Sequence, residues 1–187
     1  MDNTRVLVIS GHPDLNDSVA NKTVMEALEA KLPGAQFDYL DRLYGKDFQI
    51  DTAAEQAKLV AADAIVLQFP IFWYGMPSLL SRWMEQTFTH GFSHGSTGNK
   101  LHGKKLIASF TTGAPESLYH KDAFMGYEIE EFLPPILATC HLCGLEFAGY
   151  VYTGGVSYQN RTDAAALADM KARAISHADR VVALIQQ

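Results

Sequence analysis

Cysteine is nearly absent: the 187 residues contain two, Cys140 and Cys143. No disulfide framework can therefore hold the fold, and a reducing compartment fits. Long apolar runs are missing as well. No stretch approaches the ~18 residues needed to span a bilayer. The start, MDNTRVLVIS, has no basic segment ahead of an apolar one, so a cytoplasmic location is expected. There is no excess of positive charge. Fifteen Lys and Arg face 21 Asp and Glu, a net charge of −6 at neutral pH, without a long charge run. Nucleic-acid grooves and polybasic membrane patches are thereby excluded, leaving small molecules or proteins as partners. No Gly-x-Gly-x-x-Gly occurs, so a Rossmann pyrophosphate site for a dinucleotide is not supported. What is present, 48% apolar and 19% charged residues, is the balance of a chain that folds on its own. With no repeat or linker, residues 1–187 read as a single domain.

Hydrophobic patterning predicts five strands alternating with helices. Arg5 to Ser10 is a β-branched run that breaks into Gly11-His12-Pro13-Asp14, and Val19 to Leu32 follows with apolar residues on one helical face, stopped by Pro33-Gly34. Gln36 to Leu40 is a weaker second strand. Thr52-x-x-Glu55 has the form of a capping box opening a helix through about Ala62. Ala64 to Phe69 is almost continuously apolar, the pattern of a central strand covered on both faces. Pro77 is placed as the first residue of a helix that turns Leu79, Leu80, Trp83, Met84 and Phe88 inward. After a Gly- and His-rich excursion from Thr89 to Gly103 comes a fourth strand, Lys105 to Phe110. Residues 122 to 142 are expected to be helical, interrupted by Pro134-Pro135. A fifth strand, about Leu145 to Thr153, precedes a last amphipathic helix. This alternation predicts an α/β fold: an open, doubly wound, five-stranded parallel sheet of order 2-1-3-4-5, the flavodoxin-like order.

In such a sheet, ligands bind beyond the carboxyl ends of the strands at the switch point between strands one and three. Three loops meet there. Gly11 to Ser18 delivers Ser18, Val19 and Asn21 at a helix start, where free amides and the dipole attract a phosphate. His12, Ser18 and Asn21 can add side-chain donors, although Ser18 or Asp17 as a plain helix cap reads equally well. Pro70 to Pro77 places Phe72, Trp73 and Tyr74 consecutively. They either meet a planar ligand, pack against another subunit, or fill the core beneath the next helix. Thr111 to Tyr119 brings the Gly113 and Ala114 amides and the Tyr119 hydroxyl to the same crevice, suited to a developing negative charge. A phosphate cradle, an aromatic wall and an amide-lined edge together suggest a flavin mononucleotide.

The same residues resemble a family. The early GHP…S-x-x-N, the Asp51–Gln56 stretch D-x-A-A-E-Q, Q-F-P-I-F-W-Y-G-M-P with L-L-x-x-W, the H-G-F…L-H-G-K excursion and T-T-G occur in order over roughly residues 5 to 155. They are similar to the flavodoxin-like NAD(P)H:quinone oxidoreductases, most of all the bacterial branch holding the ancillary flavoproteins of glutathione-gated potassium-efflux systems. The resemblance implies a homodimer with a flavin at each interface. It implies His12, Ser18, Val19 and Asn21 on the phosphate side and Pro70, Ile71, Phe72, Trp73 and Tyr74 along the ring. It implies Thr111, Thr112, Gly113 and Tyr119 along the O2/N1 edge, with Ala114 beside them as a further cofactor-binding residue and Tyr119 and Gly113 as the catalytic residues. The implied reaction is ping-pong: NAD(P)H reduces the flavin by hydride transfer to N5, then a quinone or similar acceptor takes two electrons in the same pocket. FMN is favoured over FAD because no adenosine-binding residues can be identified. Two departures stand out. The family's relay His is Met125 here, although His120 follows Tyr119, and the second Gly after T-T-G is Ala114.

The alternative is an ancillary regulator of a membrane potassium antiporter, peripheral at the inner membrane through that partner, with incidental reductase activity. A one-electron flavodoxin carrier is weaker, because the Thr-rich first phosphate loop of flavodoxins is absent. Cys140-x-x-Cys143 reads as a pair of buried structural thiols, and His90, His94 and His102 as members of a glycine-rich loop, with no metal site.

Overall fold

The computed structural model describes residues 4–187; the first three residues, part of the amino-terminal segment read above, lie outside the described residues. Five parallel strands, β1 (Val6–Ser10), β2 (Gln36–Tyr39), β3 (Ala64–Pro70), β4 (Lys105–Thr111) and β5 (Glu146–Thr153), form one sheet in the order β2-β1-β3-β4-β5. Because side chains alternate across a strand, each inner strand supplies both faces. Leu7, Ile9, Ile65, Leu67, Phe69, Leu106 and Phe110 point to one side. There they pack under α3 (Thr52–Ala61), α4 (Ser78–Thr87) and α5 (Pro134–Cys143) through Leu59, Leu80, Trp83 and Ile136. Val6, Val8, Val66, Ile107 and Val151 point to the other, under α1 (Val19–Lys31) and α6 (Ala164–Ile185). A short helix α2 (Leu40–Tyr44), which the apolar pattern does not announce, follows β2 directly.

Three local expectations are corrected. Helix α3 is capped by Asp51, whose side chain accepts the Ala54 N–H, and not by Thr52; the Thr52 hydroxyl donates to the Gln86 carbonyl. Glu55 therefore does not close a capping box. It is buried and accepts hydrogen bonds from Trp83 Nε1 at 2.8 Å, Tyr44 OH at 2.8 Å and Lys58 Nζ at 2.7 Å. Pro77 is the N-cap of α4 and not its first residue. Pro134 and Pro135 start α5 and do not interrupt a longer helix, which suits their lack of a backbone donor. Residues 122–128 are turns, and Ile129–Phe132 is a short 3-10 segment.

Candidate active site

At the carboxyl edge of the sheet the loops after β1, β3, β4 and β5 line an open groove of about 190 Å³. Of the residues read from the sequence, His12, Ser18, Val19, Asn21, Pro70, Ile71, Phe72, Thr111 and Gly113 line it. Trp73, Tyr74, Thr112, Ala114 and Tyr119 do not.

The α1 end of the groove is rich in donors. Ser18 caps the helix, its Oγ accepting the Asn21 backbone N–H at 3.2 Å and the Asn21 Nδ2 at 3.1 Å. The cap and ligand readings are compatible, because a hydroxyl that accepts twice still owns a hydrogen to donate. Asn21 is fixed in turn: its Oδ1 accepts from Gln68 Nε2 at 2.9 Å and from Thr111 Oγ1 at 3.3 Å. The first-turn amides of α1, which have no intrahelical acceptor, open on the same space. His12 is buried, and its Nδ1 accepts the Asp14 N–H at 3.1 Å, so its Nε2 carries the ring hydrogen. Burial lowers its pKa from the usual range, which keeps the imidazole neutral and a donor.

The loop after β3 is a tight two-residue turn: Phe72 and Gly75 exchange backbone hydrogen bonds of 3.0 and 3.1 Å around Trp73 and Tyr74. Both central residues have positive φ, 48° and 64°, a geometry that costs a side chain of ordinary handedness ~1–2 kcal/mol. The three aromatics consequently separate. Phe72 lies edge-on to His12 at 5.9 Å and walls the groove. Tyr74 stacks on Phe132 at 5.5 Å in a neighbouring apolar recess with Phe69, Ile71 and Ile136. Trp73, 95% exposed, touches little of its own chain. Truncating a buried aromatic costs ~3–5 kcal/mol. Trp73→Gly is expected to leave the monomer within ~1 kcal/mol of the parent or slightly more stable, because relief of the turn offsets glycine's entropy. Urea unfolding at dilutions that keep the chain monomeric checks this; a loss above ~2 kcal/mol contradicts it.

The loop after β4 offers Gly113, whose N–H meets no other backbone group among the described residues and beside which a Cβ finds open space. Thr112 is turned away, donating to the Ala114 carbonyl and bonded to Tyr152 OH. Tyr119 is buried, edge-on to Phe132 and Tyr152 at 6.1 Å each, and burial raises its pKa, so the phenol stays protonated. His120, the histidine next to Tyr119, is exposed, and its Nδ1 lies 2.9 Å from Glu128 Oε2. Met125 lies with its Sδ 4.0 Å from Tyr74 OH.

Sequence reasoning missed the fourth wall, Val156, Ser157, Tyr158 and Arg161 after β5 and Met170 of α6. Arg161 stacks over Tyr158 at 4.0 Å and holds Asp17 at 2.9 Å, which pulls the Asp17 carboxyl below its usual pKa. A signal existed: Arg161 is the only Lys or Arg between Gly154 and Asp163, in a loop leaving the same edge. Elsewhere, Cys140 and Cys143 are free and buried, and burial pushes the Cys140 thiol up to about 11. No cluster of three or more His, Cys, Asp or Glu suited to a metal occurs among the described residues.

A family model described as the flavodoxin-like fold matches residues 4–178. The chain belongs to that family. Among its flavodoxin-like relatives, a Bacillus subtilis (strain 168) protein named uncharacterized NAD(P)H oxidoreductase YrkL is 39% identical over 145 residues, covering 76% of this chain and 81% of the relative. A second from the same strain, uncharacterized NAD(P)H oxidoreductase YdeQ, is 36% identical over 147 residues, covering 79% and 74%. General stress protein 14 of Treponema denticola, solved in complex with FMN, superposes with a TM-score of 0.85 at 27% identity, covering 97% of this chain and 99% of that one.

Proposed function

We propose that the groove holds FMN and that the protein is an NAD(P)H oxidoreductase passing two electrons to a quinone-like acceptor. The observation that carries this is the meeting, in one groove, of anion donors at one end with an apolar wall and an unpaired amide at the other. The FMN complex of the Treponema protein and the names of the two Bacillus relatives support it.

The donor set fits the group. The Ser18 hydroxyl, the first-turn amides of α1 and Arg161 suit a phosphate dianion. Pro70, Ile71 and Phe72 offer an apolar face for the ring, and the Gly113 N–H suits its pyrimidine edge. Bound FMN supplies the capacity to accept a hydride at N5 and return it. The protein's share is position and electrostatics: Arg161 and the helix end fix the phosphate, His12 donates through Nε2, and the Gly113 amide stabilises negative charge as the ring is reduced. Trp73 and Tyr74 do not line the groove of the single chain. Trp73, Phe124 at 86% exposure and Phe48 at 71% leave large aromatic faces bare, which supports a homodimer whose second copy closes the groove. A cytoplasmic location accords with the need for NAD(P)H and with the free thiols; no helix among the described residues is long and apolar enough to cross a membrane.

Anaerobic mixing tests the reading. FMN-loaded protein is expected to bleach on adding NADH or NADPH and to regain its yellow colour rapidly with benzoquinone. Absence of reduction by either nucleotide contradicts the proposal; reduction without reoxidation by quinone contradicts the acceptor class and favours the antiporter-regulator alternative. Since Tyr119 is buried against Phe132 and Tyr152 and does not line the groove, Tyr119→Phe is expected to change the rate of flavin reduction by less than about threefold, against the ~10²–10⁴ of a working acid–base group. Stopped-flow bleaching measures it, and a loss of a hundredfold contradicts that placement.

A further inference from the structure

A row of buried polar side chains crosses the sheet beneath α1 and α6, from the solvent at one edge to the groove at the other. At the outer end, exposed Arg180 donates through Nη2 to Thr153 Oγ1 at 2.7 Å and to the Tyr152 carbonyl at 2.9 Å. Thr153 Oγ1 lies 2.8 Å from His177 Nδ1, and His177 Nε2 lies 2.7 Å from Ser109 Oγ. Ser109 donates to Gln68 Oε1, Gln68 Nε2 donates to Asn21 Oδ1, and Asn21 Nδ2 donates to Ser18 Oγ. Thr153, His177, Ser109, Gln68, Asn21 and Ser18 are all buried.

Such a chain has two self-consistent polarities, because each inner member both gives and accepts one hydrogen. A guanidinium only donates, so Arg180 occupies a lone pair on Thr153 and favours the hydroxyl giving its hydrogen inward, to His177 Nδ1. His177 must then be the Nε2–H tautomer, donating to Ser109, and every later donor faces the groove. In this polarity Ser18 receives from Asn21 and its own hydrogen is left for a ligand. In the reverse polarity the Ser18 hydrogen is spent on Asn21, and an anion meets oxygen lone pairs. We propose that Arg180, acting through His177, sets the direction of this chain and thereby keeps Ser18 a donor toward a phosphate ester; both are positioning residues for phosphate recognition. His177 is held uncharged by burial, which the chain requires, since an imidazolium donates at both nitrogens and breaks the sequence.

This rests on the FMN reading for its ligand, but the polarity is measurable without any. In ¹⁵N-histidine NMR of the ligand-free protein, the expected signature is a His177 ring protonated at Nε2 and bare at Nδ1; an Nδ1–H ring overturns the proposal. The second measurement compares FMN with riboflavin, which lacks the phosphate, by flavin-fluorescence titration. Arg180→Met is expected to weaken FMN roughly tenfold, the scale of one hydrogen bond to a charged group, and to leave riboflavin within about twofold. Arg180→Lys, which keeps a cationic donor, is expected to restore most of the difference. An unchanged FMN-to-riboflavin ratio in Arg180→Met, or equal loss of both flavins, overturns the proposal. Should the parent protein bind neither flavin, the cofactor reading fails and the phosphate-positioning role fails with it, while the tautomer measurement still decides the polarity.

Discussion

Asn21→Asp is expected to weaken FMN binding by about three orders of magnitude while riboflavin binding falls far less. The substitution exchanges one amide NH2 for an oxygen, so volume and backbone are preserved. Gln68 and Thr111 still find an acceptor, and the backbone N–H of residue 21 still caps onto Ser18. Two things change. The Nδ2 donor to Ser18 is lost, and a negative charge enters the phosphate end of the groove. Unit charges ~4 Å apart near a protein surface interact by ~4 kcal/mol, which at ~1.4 kcal/mol per decade is about a thousandfold. Because riboflavin carries no phosphate, the repulsion has nothing to act on. Parallel fluorescence titrations read the difference, with circular dichroism to confirm folding. Equal affinity of FMN for parent and variant contradicts a phosphate at α1.

Acid is expected to unfold the protein through His177. The ring is fully buried, and burial first, then the neighbouring Arg180, depress its pKa from 6.5 to about 3. The unfolded chain binds the proton with its ordinary pKa, the folded chain only near the lower value, so between the two unfolding takes up a proton. The stability this group confers is complete above about pH 6.5 and is lost as pH falls toward 3. From about pH 7 to about pH 4 the loss amounts to roughly 3 kcal/mol, at ~1.4 kcal/mol per unit, a large part of the ~5–15 kcal/mol of a small domain. Urea midpoints at the two pH values measure it. In His177→Gln, which cannot take up a proton, the drop should shrink by about that amount even though the variant starts less stable; an identical drop in both proteins places the acid sensitivity elsewhere.

Much of the fold is legible in the residues. Arg5 to Ser10, Ala64 to Phe69 and Lys105 to Phe110 are runs that both layers of helices cover, and their alternation with helices points to a parallel, doubly wound sheet, whose observed order is 2-1-3-4-5. The carboxyl-edge rule then locates the loops, and nine of the anticipated residues line one groove. What escaped is set by tertiary contact. Asp51, one residue ahead of Thr52, wins the cap of α3, and Glu55 is drawn inward by Trp83 and Tyr44. Trp73 and Tyr74 diverge because their turn has positive φ, which no aromatic side chain advertises. Arg161 enters the site from 144 residues beyond Asp17, a pairing invisible to local pattern. The polar row left a faint trace: Gln68 interrupts the β3 run, and His177 shares the apolar face of α6 with Ala174, Ala178 and Val181. Neither residue by itself points to the hydrogen-bonded path, which appears only when β3, β4 and α6 are stacked.

The most direct measurement is a crystal structure of the protein soaked with FMN. The predicted result is one flavin per chain, its phosphate within hydrogen-bonding reach of Ser18 Oγ and Arg161 and its ring between Phe72 and Gly113. Flavin bound elsewhere, or a phosphate pointing away from α1, contradicts the account.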